Sequence, residues 1–295
     1  MDTVKISVII PTCHRNDLLA KCLDCLAPGV QTLPPEQYEV VVTDDGSRTT
    51  AQQLVQDSYP WAQWTEGPRR GPAANRNHGA GISQRVWLAF TDDDCMPETS
   101  WLSALAAAVT PNVSVYEGKT TCKQGLASPL FEAPINLTGG NLWSCNFLIL
   151  NSIFRETGGF DEEFTMPAVE DTDFRERLKQ RGEKIHFVGT AVVDHPPRPQ
   201  PSGRRLGEKY AANVQYWYKT GHRGSFTIPH LKHIKHRIYT IHQFKFSKDS
   251  LIAFWSLWVE TSYIIKRLPR WRRQFEAAYT LRQSPEVHST DRVCL

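Results

Sequence analysis

The chain has 295 residues, enough for one large α/β domain with an appendage or for two domains. Its composition is ordinary for a soluble globular protein, and its seven cysteines form no regular framework, which excludes a disulfide scaffold. The net charge of +3 hides a split: residues 1–200 carry 17 Lys+Arg against 25 Asp+Glu, whereas residues 201–295 carry 17 against 6.

From the N-terminus, Met1-Asp2-Thr3-Val4-Lys5 leads directly towards a strand with no secretory signal, and with the cysteine pattern this implies a reducing cytoplasm. Ile6-Ser7-Val8-Ile9-Ile10 is a β-branched run stopped by Pro11, the pattern of a buried parallel strand. Asn16 or Asp17 can then cap an amphipathic helix carrying Leu18, Leu19, Cys22, Leu23 and Leu26. Cys22 and Cys25 have metal-like spacing but no second pair, and read as helix residues. A second strand over 38–43 runs into Asp44-Asp45-Gly46-Ser47, and a helix follows over about 49–58. The glycine-bounded loop 67–79 feeds a short helix, where backbone N–H groups beside Arg76 suit an anion.

The next apolar run, 86–90, ends in Thr91-Asp92-Asp93-Asp94 and is closed by Pro97. Three adjacent carboxylates repel one another, and a hard divalent cation relieves the conflict; a solvated acidic turn is the plainer reading of the triplet alone. A helix follows over 100–109, then strands and loops over 113–150, then Gly158-Gly159-Phe160-Asp161 in a tight turn. A helix beginning with Glu170-Asp171 presents carboxylates where the macrodipole favours them. Two short strands, 185–188 and 191–193, deliver Asp194-His195 into a proline-rich stretch over 196–201, the expected domain boundary. The βαβαβ alternation predicts a doubly wound, mostly parallel sheet with helices on both faces. No Gly-x-Gly-x-x-Gly follows the first strand and no Walker-type loop occurs, which argues against a dinucleotide dehydrogenase or a P-loop ATPase.

Six segments in this order resemble the family 2 glycosyltransferases of the GT-A fold: 6–11, Asp44-Asp45-Gly46-Ser47, 71–77, Asp92-Asp93-Asp94, Gly158-Gly159-Phe160-Asp161, and Glu170-Asp171. The resemblance covers residues 4–200. It implies a GT-A catalytic domain over 1–200, with a nucleotide-binding half over about 1–98 and an acceptor half over about 99–200. It further implies an inverting transfer from a nucleoside-diphosphate sugar, a UDP-sugar favoured, to an acceptor hydroxyl in glycan or polysaccharide synthesis. The nucleotide-sugar would meet Pro11, Thr12, Cys13, Asp45, Arg76, Asp92 and Asp93. Manganese or magnesium would be held by Asp94 and His195, with Asp92 nearer the ribose and Asp93 structural as well. Asp171 would be the catalytic base, and Trp143 and Glu170 would face a saccharide or lipid-linked acceptor beside Ser144, Cys145 and Asn146. A binding protein that keeps the fold without turnover is the alternative.

Residues 201–295 match no motif and are expected to form a helical, basic, tryptophan-containing extension. No stretch reaches the ~18–20 uncharged apolar residues of a membrane span; the nearest, 251–265, contains Glu260. Residues 250–275 read as an amphipathic helix followed by the cluster from Lys266 to Arg273, broken by Pro269. Such a segment suits peripheral contact with an anionic membrane, on its inner face for a cytoplasmic protein, or simple packing on the catalytic domain. Nucleic acid is not expected as a partner, because no recognised module is present.

Overall fold

The computed structural model describes residues 4–221 and 227–281. Met1, Asp2 and Thr3, and the last part of the basic extension, 282–295, lie outside the described residues. The chain folds as two compact units, Met1–Ala127 with Glu132–Arg198, and Ser128–Phe131 with Pro199–Leu295.

The first unit runs β1 (Ile6–Thr12), α1 (Asn16–Leu26), β2 (Tyr38–Asp44), α2 (Gln52–Ser58), β3 (Gln63–Glu66), α3 (Pro72–Ile82) and β4 (Trp87–Phe90). It continues with β5 (Met96–Pro97), α4 (Trp101–Ala108), β6 (Val115–Thr121), β7 (Phe147–Leu150), α5 (Asn151–Glu156), α6 (Glu170–Gln180) and β8 (Ile185–Asp194). These strands form one sheet in the order β3-β2-β1-β4-β7-β6-β8-β5. β3, β2, β1 and β4 are parallel, β7 runs antiparallel between β4 and β6, and β6 pairs parallel with β8. This is the expected α/β architecture of the GT-A class.

Every residue of β1 is buried because the sheet is covered on both faces. Ile6, Val8 and Ile10 join a core with Leu19, Cys22, Leu23 and Leu26 of α1, while Ile9 on the other face joins Val41, Phe90 and the aromatic group Phe147, Phe154, Phe160 and Phe174. Phe90 and Phe147 stack at 4.7 Å, and Phe160 and Phe174 lie 4.8 Å apart. That aromatic wedge anchors α6, whose N-terminus carries Glu170 and Asp171.

Several local expectations are corrected. No side chain caps α1, which starts directly after Arg15, a residue drawn instead onto Asp93. The helix expected over 49–58 begins at Gln52, because Asp44 accepts the backbone N–H groups of Gly46 at 2.7 Å and Ala51 at 2.6 Å and holds the turn open. The two strands expected over 185–193 are one ten-residue strand; an irregularity opposite Gly118 and Lys119 interrupts its register without ending it.

The second unit contains α7 (Gly203–Lys219), α8 (Thr227–His242) and α9 (Lys248–Leu281). Tyr210, Val214 and Tyr218 of α7 pack against Ile264, Trp271, Phe275 and Tyr279 of α9. The helix expected over 250–275 lies within α9, which runs through Pro269; the proline interrupts the basic cluster and not the helix. Pro269 and Ile265 both lie on the exposed side of the helix, where water can satisfy the carbonyl that the proline leaves unpaired. Glu260 is buried and receives His233 of α8 at 2.6 Å, which explains how an apolar helix face tolerates it. Among the described residues no helix is long and apolar enough to cross a membrane.

Candidate active site

Parallel pairing in register brings the carboxyl ends of β1, β2 and β4 side by side, where open α/β sheets bind ligands. Asn75 of α3 fastens two of these ends together. Its amide donates to the carbonyls of Thr12 and Thr43, and its carbonyl accepts the Thr43 hydroxyl at 2.7 Å. Asn77, further along the same helix, accepts the N–H of Phe160 and donates to its carbonyl at 2.9 and 2.8 Å. Gly159 must be glycine there: its φ is +63°, and a Cβ would lie 2.5 Å from the Asn77 side chain. Two motifs far apart in sequence are thereby bolted together.

These ends open into a cleft of about 630 Å³, within the usual range for a small-molecule site. Pro11, Thr12, Cys13, Asp45, Arg76 and Asp92 all line it. Asp45 accepts the backbone N–H groups of Arg69 at 2.8 Å and Gly71 at 3.2 Å, which folds the 67–71 loop over the cleft. Burial raises the Asp45 carboxyl above its ordinary value against the effect of those two donors. Gly71 has φ +97°, and any Cβ would lie 2.4 Å from the Thr165 carbonyl oxygen, so the loop and the 165 segment meet backbone to backbone.

A smaller pocket of about 170 Å³ shares Arg76, Asp92, Pro167 and Arg198 with the cleft. Trp143, Ser144, Cys145, Glu170, Asp171 and His195 line it. Asn146 does not face it: the side chain is buried, accepting from the Trp101 indole and donating to the carbonyls of Lys119 and Ala191. The indole N–H of Trp143 is buried with no hydrogen-bond partner.

Arg76 is the pivot between the two spaces. Its guanidinium meets Asp92 at 2.6 Å and Glu170 at 3.4 Å, with only 5% of the side chain exposed. Burial opposes its charge, but Asp92, Asp171 and Glu170 outweigh that and hold it protonated. Asp171 accepts the Ser144 N–H at 3.2 Å through one oxygen, while its other oxygen is buried without a partner. Burial and then the charge of Glu170 push Asp171 up to about 7, against the pull of Arg76. A carboxylate poised near neutrality with one unpartnered oxygen has the properties of a general base.

The acidic triplet is divided between roles. Asp93, expected among the nucleotide-binding residues, is fully buried and lines neither space. It accepts the Thr12 hydroxyl at 2.7 Å and Nε–H of Arg15 at 3.0 Å, and Nη2 of Arg15 lies 2.5 Å from its other oxygen as an ion pair. Burial pushes it up to about 7 even with Arg15 beside it. Asp94, expected on the metal, also lines neither space and is paired with Arg15 at 3.0 Å, His195 at 3.4 Å and Arg198 at 3.6 Å. Burial disfavours its charge, yet these three partners hold it well below the usual carboxylate range.

The donor set around Asp94 fits a divalent cation. Oδ1 of Asp94 and Nε2 of His195 are buried and face each other at 3.4 Å with no hydrogen-bond partner, and with the Cys95 thiol their ligand atoms lie within 4.8 Å of one another. The His195 ring faces the Pro196 carbonyl through Nδ1 at 3.0 Å, which directs Nε2 at Asp94. Burial alone would lower His195, but Asp94 more than offsets it and holds the imidazolium up to about 9. A cation bound there would displace that proton. Arg15, Arg198 and Cys95 had no sequence signal beyond lying beside motif residues.

Residues 7–124 match the model of the family described as glycosyl transferase family 2. Over that stretch, which holds the ends of β1, β2 and β4 and the acidic triplet, the chain is similar to that family. It is 25% identical over 230 residues to glycosyltransferase AglE of Haloferax volcanii, covering 72% of this chain and 74% of AglE. It is 32% identical over 217 residues to the pre-mycofactocin glycosyltransferase of Mycobacterium tuberculosis, covering 66% of this chain and only 43% of that protein. The chain thus spans less than half of that second relative. Two solved structures show the same fold at low identity. S. aureus TarS 1–349 superposes with a TM-score of 0.57 at 19% identity, covering 73% of this chain and 64% of that one. The mannosyltransferase PcManGT from Pyrobaculum calidifontis superposes at 0.55 and 16%, covering 97% and 82%. In this fold the six segments lie at the ends of β1, β2 and β4, at the starts of α3 and α6, and in the Gly159 turn.

Proposed function

We propose that this chain is an inverting glycosyltransferase that moves a sugar from a nucleoside-diphosphate sugar to an acceptor hydroxyl. The observation that carries the proposal is Asp171: a half-buried carboxylate raised to about 7, with one buried, unpartnered oxygen, in a small pocket that adjoins a nucleotide-sized cleft. The donor lies in the cleft, its base by Asp45 and Cys13 and its phosphates towards Arg15, Arg198 and the Asp94 pair. Structures related in fold support a donor of this class, since TarS 1–349 is described in complex with UDP-GlcNAc and PcManGT with GDP-Man and Mn2+.

The acceptor, a saccharide or lipid-linked sugar, enters beside Trp143. As its hydroxyl oxygen attacks the anomeric carbon, Asp171 takes the hydroxyl proton, and the bond to the nucleoside diphosphate breaks with the electron pair leaving on phosphate oxygen. Glu170 and Asp92 hold Arg76 in place, so that its charge faces the reacting centre. Asp94 and His195, with Cys95 adjacent, would hold manganese or magnesium, which when bound supplies Lewis-acid stabilisation of the departing diphosphate.

The test is a panel of sugar nucleotides assayed for nucleoside diphosphate release with a range of sugar acceptors, with manganese or with a chelator. Acceptor-dependent release that the chelator stops and Asp171→Asn abolishes supports the proposal. Tight donor binding with no release on any pair would identify a nucleotide-sugar-binding protein instead.

A further inference from the structure

Helix α9 presents a solvent-facing stripe that the fold does not use. At 100° per residue, Leu251, Phe254, Trp255, Trp258, Ser262, Ile265 and Pro269 fall along one side of the helix. The residues packed inward, Ala253, Leu257, Glu260, Ile264 and Trp271, fall on the other. The outward side chains are large and open: Leu251 is 54% exposed, Trp255 64%, Trp258 59% and Ile265 62%. Trp255 and Trp258 stack on each other at 4.9 Å with no buried residue between them and water. Scattered exposed apolar residues are ordinary, but a continuous row of two tryptophans and three other large side chains on one helix marks a contact surface.

The same side of α9 turns basic further on. Arg273 falls in line with the stripe and Lys266 and Arg270 on its flank, all three exposed within about two and a half turns of Ile265, while among the described residues of α9 the stripe side holds a single carboxylate, Glu276. α8 repeats the pattern, with Leu231, Ile238 and Tyr239 exposed among Lys232 and Lys235, and Phe246 in the connection to α9 is 81% exposed. The whole 201–295 region carries 17 Lys+Arg against 6 Asp+Glu.

We infer that the α9 stripe binds the surface of an anionic lipid bilayer. Charge decides the occupant: a second copy docked stripe to stripe would bring two strongly basic faces together, whereas an anionic headgroup layer complements the cations and accepts the apolar row beneath them. The side chains are suited to that depth. Tryptophan rings settle at the headgroup boundary, Leu251 and Ile265 reach the acyl region, and Lys266, Arg270 and Arg273 meet the phosphates. With no helix able to cross a membrane among the described residues, such binding is peripheral and reversible.

The experiment uses the full chain and large unilamellar vesicles, either pure phosphatidylcholine or phosphatidylcholine with about 30% phosphatidylglycerol, an anionic fraction of the kind that attracts basic segments. It reads flotation and the emission maximum of tryptophan. Binding is expected to the anionic vesicles with a blue shift, to weaken as salt rises, and to be much poorer on phosphatidylcholine alone. Arg270→Gln with Arg273→Gln should weaken binding about 25-fold, at about fivefold per cation. Trp255→Ser with Trp258→Ser should remove the blue shift while circular dichroism and melting stay unchanged, because both side chains lie outside the core. Absence of flotation overturns the inference. So does equal binding by the wild type and both variants, and so does a concentration-dependent dimer in sedimentation that the tryptophan variant abolishes, since that assigns the stripe to a second copy. The assay needs no turnover, so its failure is separable from failure of the transferase reading.

Discussion

Under the proposed mechanism Asp171 sets the acid limb of the rate profile, and the structure provides both its position and the direction in which neighbours move it. With the carboxyl raised to about 7, roughly a tenth of it is ionised at pH 6 and roughly a hundredth at pH 5. If the ionised form is the base, kcat/KM falls about tenfold per pH unit below 7. An ordinary aspartate would leave the rate flat down to about pH 5. Two substitutions displace the limb in opposite directions. Glu170→Gln removes a like charge and lowers the apparent value; Arg76→Met removes the opposing cation and raises it. Both also reduce the rate, since both residues line the site, so the diagnostic quantity is the midpoint and not the height. Asp171→Asn removes the base and should lower kcat by about 10²–10⁴. The assay is nucleoside diphosphate release between pH 5 and 9 at constant ionic strength, saturating cation, and substrate concentrations below KM. A limb at or below pH 5, or an Asp171→Asn enzyme keeping more than a tenth of the wild-type rate, would rule out Asp171 as the base.

The same buried charges govern stability and metal uptake. Because Asp171 titrates higher in the folded chain than unfolded, the stability it contributes is complete below about pH 4 and is lost as pH rises through about 7. Asp171→Asn should therefore melt a few degrees higher than wild type at pH 8, with the difference shrinking towards pH 5, by calorimetry. Arg15→Ala strips the ion-pair partner from buried Asp93 and should cost about 1–3 kcal/mol in urea unfolding at pH 8, less than a fully buried pair because Arg15 is partly exposed. The cost should be smaller at pH 5, where Asp93, raised to about 7, is protonated. Manganese should expel about one proton at pH 7.5, because the site binds neutral imidazole and His195 otherwise holds its proton up to about 9. Calorimetry in buffers of different protonation enthalpy measures this, and Asp94→Asn or His195→Ala should abolish both the heat and the proton.

Much of the cleft was legible in the residues because the chemistry sits at strand ends, and strand ends are punctuated. Pro11 and Gly46 fall within two residues of the ends of β1 and β2, and carboxylates follow directly after β2 and β4. What was not legible depends on tertiary register. Arg15 reaches Asp94 across 79 positions, and Arg198 and His195 reach it from the far end of the unit, so no local window connects them. Asp93 and Asp94 are neighbours in sequence with identical side chains. The turn after β4 sends one into the core under Arg15 and the other towards His195, which a run of three aspartates does not announce. Asn75 and Asn77 belonged to a recognisable segment, yet their work as fasteners between strand ends and the Gly159 turn appeared only in the fold. The long β8 strand was hidden by its irregular middle.

The proposed function rests on one base, Asp171, activating the acceptor for a single displacement at the anomeric carbon. The anomeric configuration of the product, read by proton NMR from the coupling at the newly formed linkage, tests this most directly. From an α-linked gluco- or galacto-configured nucleotide donor, a single displacement gives a β-linked product. An α-linked product would contradict the proposal, since retention requires chemistry that Asp171 alone cannot supply.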